Sequence, residues 1–199
     1  MADLEKTRKN LENRGFRAHV FATGAEAAEF LVQTLHGTSI GIGGSVTIDT
    51  LGVYDRLCGS NEVFWHWKNH APETRERAGK AETYLCSANG VSENGEIVNI
   101  DGFGNRVAGT IYGPERVFLV VGKNKIAPDL TGAIDRARNI AAPLNARRLN
   151  RHTPCAVGEP RCHDCRSPEK VCGVMTVFFM PPTSIKEFHV ILVDEDLGY

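Results

Sequence analysis

Residues 117–121, Val-Phe-Leu-Val-Val, are apolar without interruption. A strand made from them has no side to turn to water, so it must be covered on both faces, and that requires a sheet with layers packed above and below it. The flanking sequence supplies such layers. Residues 3–14 form a polar amphipathic helix ended by Gly15, and Phe16–Ala22 alternates as a strand does. Thr23 with Glu26 makes a capping box that opens a helix to about His36. Ser39–Ile42 reads as a short buried strand, and Gly43–Thr47 as a glycine loop leading into a helix to about Cys58.

Further strands are predicted at 61–67, 84–88, 96–100, 107–112, 175–180 and 188–193, with a charged helix at 73–80. Between about Asp129 and Arg148 the residues Leu130, Ala133, Ile134, Ala137, Ile140, Ala141 and Leu144 recur at three- and four-residue steps, giving one apolar stripe. Pro143 lies inside that stripe and should kink or divide the helix. No repeat, linker or shift in composition interrupts the chain. The expectation is one α/β domain over residues 1–199, a three-layer α/β/α sandwich with a mostly parallel sheet.

Four of the six cysteines lie at Cys155, Cys162, Cys165 and Cys172, spaced C-x6-C-x2-C-x6-C. A C-x2-C pair places two thiolates on one side of a tight turn, and the outer two stand at equal separation, so one compact loop (about 153–173) can close a four-sulfur site. Pro154, Gly158, Pro160 and Pro168 suppress regular structure there, and the intervening charged residues offer little to bury. Two disulfides would demand an oxidising compartment and usually accompany a small core. With 199 residues, 42% hydrophobic, and a polar start without a signal-like apolar stretch, the chain reads instead as a cytoplasmic protein with reduced thiols. One C-x2-C flanked by single cysteines near prolines leans toward a [4Fe-4S] cluster, with structural zinc as the alternative. His163 is a possible replacement ligand. Cys58 and Cys86, in apolar surroundings, read as core residues.

The net charge of −1 gives no reason to expect nucleic acid as a partner, and no apolar run spans a membrane. Arg147, Arg148, Arg151 and His152 form a local basic group that suits a helix C-terminus, or a docking surface for an acidic partner. At Ile40-Gly-Ile-Gly-Gly-Ser-Val-Thr47 a strand runs into a helix through a glycine turn, the place where α/β folds hold ligands. Gly43 and Gly44, with the hydroxyls of Ser45 and Thr47, suit an anion as well as they suit a tight turn. The spacing matches neither a dinucleotide fingerprint nor a P-loop. Asn94-Gly95 marks a hairpin turn. Glu93, Asp101, Asn105 and Arg106 gather around it, and Lys123, Asn124 and Lys125 follow the 116–121 strand. Together these residues are expected to line one cleft that takes an anionic small molecule.

The stretches G-I-G-G-S-V-T, S-A-N-G-V-S-E-N-G-E-I-V-N-I-D-G-F-G-N-R-V-A, Y-G-P-E-R-V-F-L-V-V-G-K-N-K-I, I-A-A-P-L-N-A-R-R-L, T-P-C with C-x2-C, and the final V-D-E-D-L-G-Y stand in one order. In that order they resemble the lactate-utilisation (LUD) domain family from about residue 1 to the end. The resemblance implies a NagB/RpiA/CoA-transferase-like fold and a link to oxidation of L-lactate to pyruvate beside iron–sulfur redox partner proteins. Ser92-Glu93-Asn94-Gly95 also resembles the S-E-N-G segment of class I CoA-transferases, whose glutamate is the nucleophile. That makes Glu93 a catalytic candidate in a transferase-like or isomerase-like alternative, although Glu96 departs from that family's pattern.

Overall fold

The computed structural model describes residues 2–199. The chain opens with α1 (Leu4–Asn13), whose N-cap Asp3 accepts a hydrogen bond from the Lys6 amide. Next come β1 (Arg17–Phe21), α2 (Gly24–Thr34), β2 (Ser39–Ile42), α3 (Val46–Thr50), α4 (Tyr54–Cys58), β3 (Glu62–Trp65), α5 (Thr74–Lys80) and β4 (Thr83–Cys86). They are followed by β5 (Gly90–Ser92), β6 (Ile97–Asp101), α6 (Asn105–Ile111), β7 (Arg116–Gly122), β8 (Ile126–Ala127) and α7 (Leu130–Arg136). The chain finishes with α8 (Ala142–Arg148), the single turn α9 (Pro154–Val157), β9 (Val174–Phe178) and β10 (Glu187–Val193).

Six strands make an all-parallel sheet in the order β1-β10-β7-β4-β2-β3. The uninterrupted apolar run of β7 sits near its middle. Val117, Leu119 and Val121 point into a core shared with Leu11 of α1 and Tyr84, while Phe118 and Val120 point into the opposite core with Leu31, Ile48 and Leu57. Each such side chain, fully buried, stabilises the fold by roughly 1.5–3 kcal/mol. The sheet is thus flanked by helices on both faces, as the sequence predicts.

A second sheet, ordered β8-β5-β6-β9, lies on the α1 side. Its inner face joins the first core through Val91, Ile97 and Phe178, and its outer face packs Val98 and Ile100 against Ala133 and Ala137.

Several expectations are corrected. The strands at 84–88 and 96–100 belong to different sheets. The strand through Leu85 belongs to the large sheet, and Ile97–Asp101 pairs instead with Gly90–Ser92 and with β9. Residues 175–180 contribute to the small sheet, and β10 lies inside the large one, between β1 and β7. The segment predicted as a strand at 107–112 is helix α6: the Asp101 carboxylate accepts from the amides of Arg106 and Val107 and so starts a helix. The helix expected from the glycine loop to Cys58 is two short ones, separated at Gly52, where φ is +63°. The long 129–148 helix is observed as α7, a π-helical turn over Ala137–Ala141 and α8, with Pro143 in the first turn of α8. The wide turn accommodates a ring that has no N–H to offer and crowds the preceding carbonyls. Cys86 is buried as expected, whereas Cys58, at the end of α4, is exposed.

Candidate active site and cysteine loop

All six parallel strands end on the same side, and the loops leaving β2, β3, β4 and β7 enclose a cleft of about 860 Å³. Its lining includes Gly44, Ser45 and Thr47 after β2, His66 and Trp67 after β3, Ser87 and Asn89 after β4, and Lys125 after β7. Asp101, Asn105 and Arg106 reach it from the end of β6 and from α6, and Tyr199 from beyond β10. This is where open α/β sheets hold ligands, because only there do several loops converge beside free strand ends.

At the floor of the cleft stands Lys125, 2% exposed. Its Nζ donates to Thr47 Oγ1 at 2.7 Å and to Ser87 Oγ at 2.8 Å. Arg106 is held by the carbonyls of Ile100 and Ser87 and by the Asn89 side chain, and Arg136 by the carbonyls of Asn89 and Asn124. Among the described residues none of these three cations has a carboxylate ion-pair partner. Burial first, and then the charges of Arg136 and Arg106, push the Lys125 amine well below the usual lysine range. Burial also lowers Arg136 to about 10.

The wider lining carries Lys68, Arg75, Arg148, Arg151 and Lys170 as well, against only Asp49, Asp101 and Glu169. Asp49 is paired with Lys68 at 3.0 Å, and Asp101 caps α6. The lining of the cleft is therefore rich in positive charge, although the chain as a whole is nearly neutral.

Other predicted site residues lie outside the lining or have their polar groups engaged in the fold. Gly43 is a packing glycine: a Cβ there would stand 2.8 Å from Arg106 Cγ and 2.9 Å from the Tyr84 hydroxyl, so its smallness lets Arg106 reach its place. Ser45 is spent as the N-cap of α3, accepting from the Ile48 amide. Lys123 pairs with Asp194 at 3.1 Å outside the cleft lining, and the Asn124 side chain ties down the tail through Leu197 N and Gly198 O. Glu93 is not in the lining either. Its carboxylate accepts from Lys6 Nζ at 2.9 Å and from the Asp3 amide at 3.2 Å, which pins α1 to the β5–β6 hairpin and holds the carboxyl below its usual range. Ser87, Trp67, Arg136 and Tyr199 were missed by the sequence reading. Ser87, a polar residue ending an apolar strand, is the one with a local signal.

The cysteine loop runs between α8 and β9. All four of its thiols are free and half-buried. Among the described residues no group of three or more His, Cys, Asp or Glu side chains is already gathered in a metal-holding arrangement. The donor set nevertheless suits a thiophilic centre. Burial raises the Cys172 thiol, Lys170 opposes that, and the charges of Cys162, Cys155 and Cys165 reinforce it. Cys162 Sγ accepts from Arg138 at 3.3 Å and from the Asp164 amide at 3.4 Å, donors of the kind that stabilise a ligated thiolate. His163 turns to the Glu159 carbonyl. Arg147, in the basic group expected at a helix end, donates to the carbonyls of Ala156 and Gly158 and anchors the loop's start, while Arg148 lies 4.7 Å over the Trp67 ring. Pro168, Glu169, Lys170 and Val171, all between Cys165 and Cys172, form part of the cleft wall.

With this geometry in hand, comparison with known proteins gives a class. The LUD domain family model matches residues 4–193, and the chain belongs to that family. Membership links it to lactate utilisation. No curated protein matches the chain. Among solved structures it is similar to a DUF162 family protein from Deinococcus radiodurans, with 14% identity over 96% of this chain and 95% of that one and a TM-score of 0.56. That likeness speaks to the fold alone. Among the described residues no helix is long and apolar enough to cross a membrane.

Proposed function

We propose that the chain is a component of a system oxidising L-lactate to pyruvate, or of a closely related redox system, and that Cys155, Cys162, Cys165 and Cys172 hold a [4Fe-4S] cluster. The observation that carries this reading is the position of the cysteine loop, which supplies part of the wall of the cation-lined cleft. A loop serving only to staple the fold has no need to border a ligand site, whereas a redox centre gains from being beside one. When bound, such a cluster supplies one-electron transfer. The chain's own residues have the remaining tasks. Lys125 and Arg106 hold a negatively charged small molecule, Trp67 and the loop residues 168–171 shield it from water, and Arg138 with the Asp164 amide donates to the Cys162 sulfur and orients it. The organic half of the redox chemistry, and the electron's next stop, fall to an iron–sulfur partner protein.

The test is Cys162→Ser beside Cys58→Ser, both prepared without oxygen. The reading expects iron and visible colour to be lost in the first variant and retained in the second. Equal iron in both would remove Cys162 from the ligand set, and one zinc without colour would replace the cluster with a structural metal.

A further inference from the structure

Lys125 carries an inference that reaches beyond anion binding in general. Thr47 Oγ1 donates its hydrogen to the Leu197 carbonyl at 3.1 Å, and Ser87 Oγ donates to the Ala88 carbonyl at 3.2 Å. A carbonyl can only accept, so both hydroxyls present lone pairs to Lys125, which donates to each. A neutral amine has two hydrogens, and both are then used. What remains is a lone pair. A protonated amine has a third N–H left over, and that one is free for a ligand.

We propose that Lys125, oriented by Thr47 and Ser87, is a proton-switched receptor for the phosphate or carboxylate head of the cleft's ligand, so that the anion and a proton bind together. The proposal rests on the reading of the cleft as an anion site and deepens it. Without a ligand, the buried Lys125 and Arg136 stand near the half-buried Arg106 with no carboxylate ion-pair partner and with the Cys86 thiol beside them, and Lys125 is the one that can relieve the repulsion by giving up its proton. An oxyanion at the remaining N–H position reverses that balance, because it supplies the missing counter-charge. The proton comes from solvent, and no covalent bond is made. The tail contributes too: a Cβ on Gly198 would stand 2.7 Å from Thr47 Oγ1 and 3.5 Å from Lys125 Nζ, so the chain's end passes directly over the pair. The room above, walled by Trp67 and by the cysteine loop, falls within the roughly 300–1,000 Å³ usual for organic ligands, so the head group is expected to carry a body.

Isothermal titration of the metal-replete protein tests this, with inorganic phosphate, pyrophosphate and pyruvate as separate probes. Each titration is run near pH 7.5 in two buffers of different protonation enthalpy. The proposal predicts binding of at least one probe with uptake of up to about one proton per anion. Which probe binds distinguishes a phosphate head from a carboxylate. Lys125→Met should weaken that binding about tenfold or more and abolish the buffer dependence, while Lys123→Met, an equal charge change outside the cleft, should alter neither. Lys125→Arg keeps a permanent charge and should bind without proton uptake, which keeps the test decisive if the methionine variant does not fold. Binding with no buffer-dependent heat, or equal effects of the two methionine substitutions, would overturn the proposal. So would the failure of all three probes to bind. Iron and zinc measured on the same sample keep its failure separate from failure of the cluster reading.

Discussion

Gly102 lies so close to Val171 that a Cβ built on it would stand 2.7 Å from the Val171 Cα and 3.0 Å from the Lys170 carbonyl oxygen. This contact joins the turn after β6, which carries Asp101 and Arg106 into the cleft, to the stretch of cysteine loop just before Cys172. Nothing at that distance can yield except backbone. Gly102→Ala should therefore push the loop off the cleft wall without touching a cysteine. The expected outcome is faster tryptic cleavage at Arg161 and Arg166, with weaker binding of any anion that the cleft holds. Unchanged cleavage would mean that the two segments are not mechanically joined.

A second glycine tests the packing beneath the cleft. A Cβ at Gly41 in β2 would meet the Ala78 carbonyl oxygen of α5 at 1.9 Å, so Gly41→Ala must drive helix and sheet apart. Overpacking against rigid backbone typically costs 1–3 kcal/mol and occasionally more, and about 3 kcal/mol is expected here by urea denaturation.

Stability should also depend on pH through His189. Its ring stacks on Phe118 at 4.3 Å, and its Nδ1 lies 3.0 Å from His19 Nε2. Burial first, then the neighbouring His19, lowers its pKa from 6.5 to about 4. Between those two values the unfolded chain binds a proton that the folded chain refuses. Stability is therefore fully present above pH 6.5 and declines as pH falls toward 4, with His189 accounting for roughly 3 kcal/mol of the loss. His189→Phe keeps a ring in the stack, and should flatten the acid limb of a urea-midpoint profile. A profile parallel to that of the unaltered protein would refute the assignment.

Glu93→Gln removes a tether between α1 and the hairpin, and leaves the cleft intact. Anion affinity and metal content are expected to stay the same. A loss of binding would bring Glu93 back into the functional site.

Much of the architecture is legible in local pattern. The uninterrupted apolar run of β7 demands cover on both faces and has it, and the Thr23–Glu26 box opens α2 as expected, with Thr23 Oγ1 accepting from the Glu26 amide. Residues 107–112 were misread because Val-Ala-Gly-Thr-Ile-Tyr alternates like a strand, while the capping carboxylate that makes it helical sits four residues before the helix, across a Gly-Phe-Gly turn. Gly109 then lets that helix press on Tyr84, whose ring lies 2.5 Å from where a Cβ would be. The division of the strands between two sheets has no local signature, since 84–88 and 96–100 suit either. In the site, Thr47, Arg106 and Lys125 could be found because each follows a recognisable strand or turn. Their hydrogen-bond partners could not, because Lys125 meets Thr47 across 78 residues of chain, and only the fold brings them together.

The most direct test of the central claim is the iron, acid-labile sulfide and zinc content of protein purified without oxygen, read beside its visible spectrum. The account predicts about four irons and four sulfides per chain and a brown protein. One zinc per chain and no colour would contradict it.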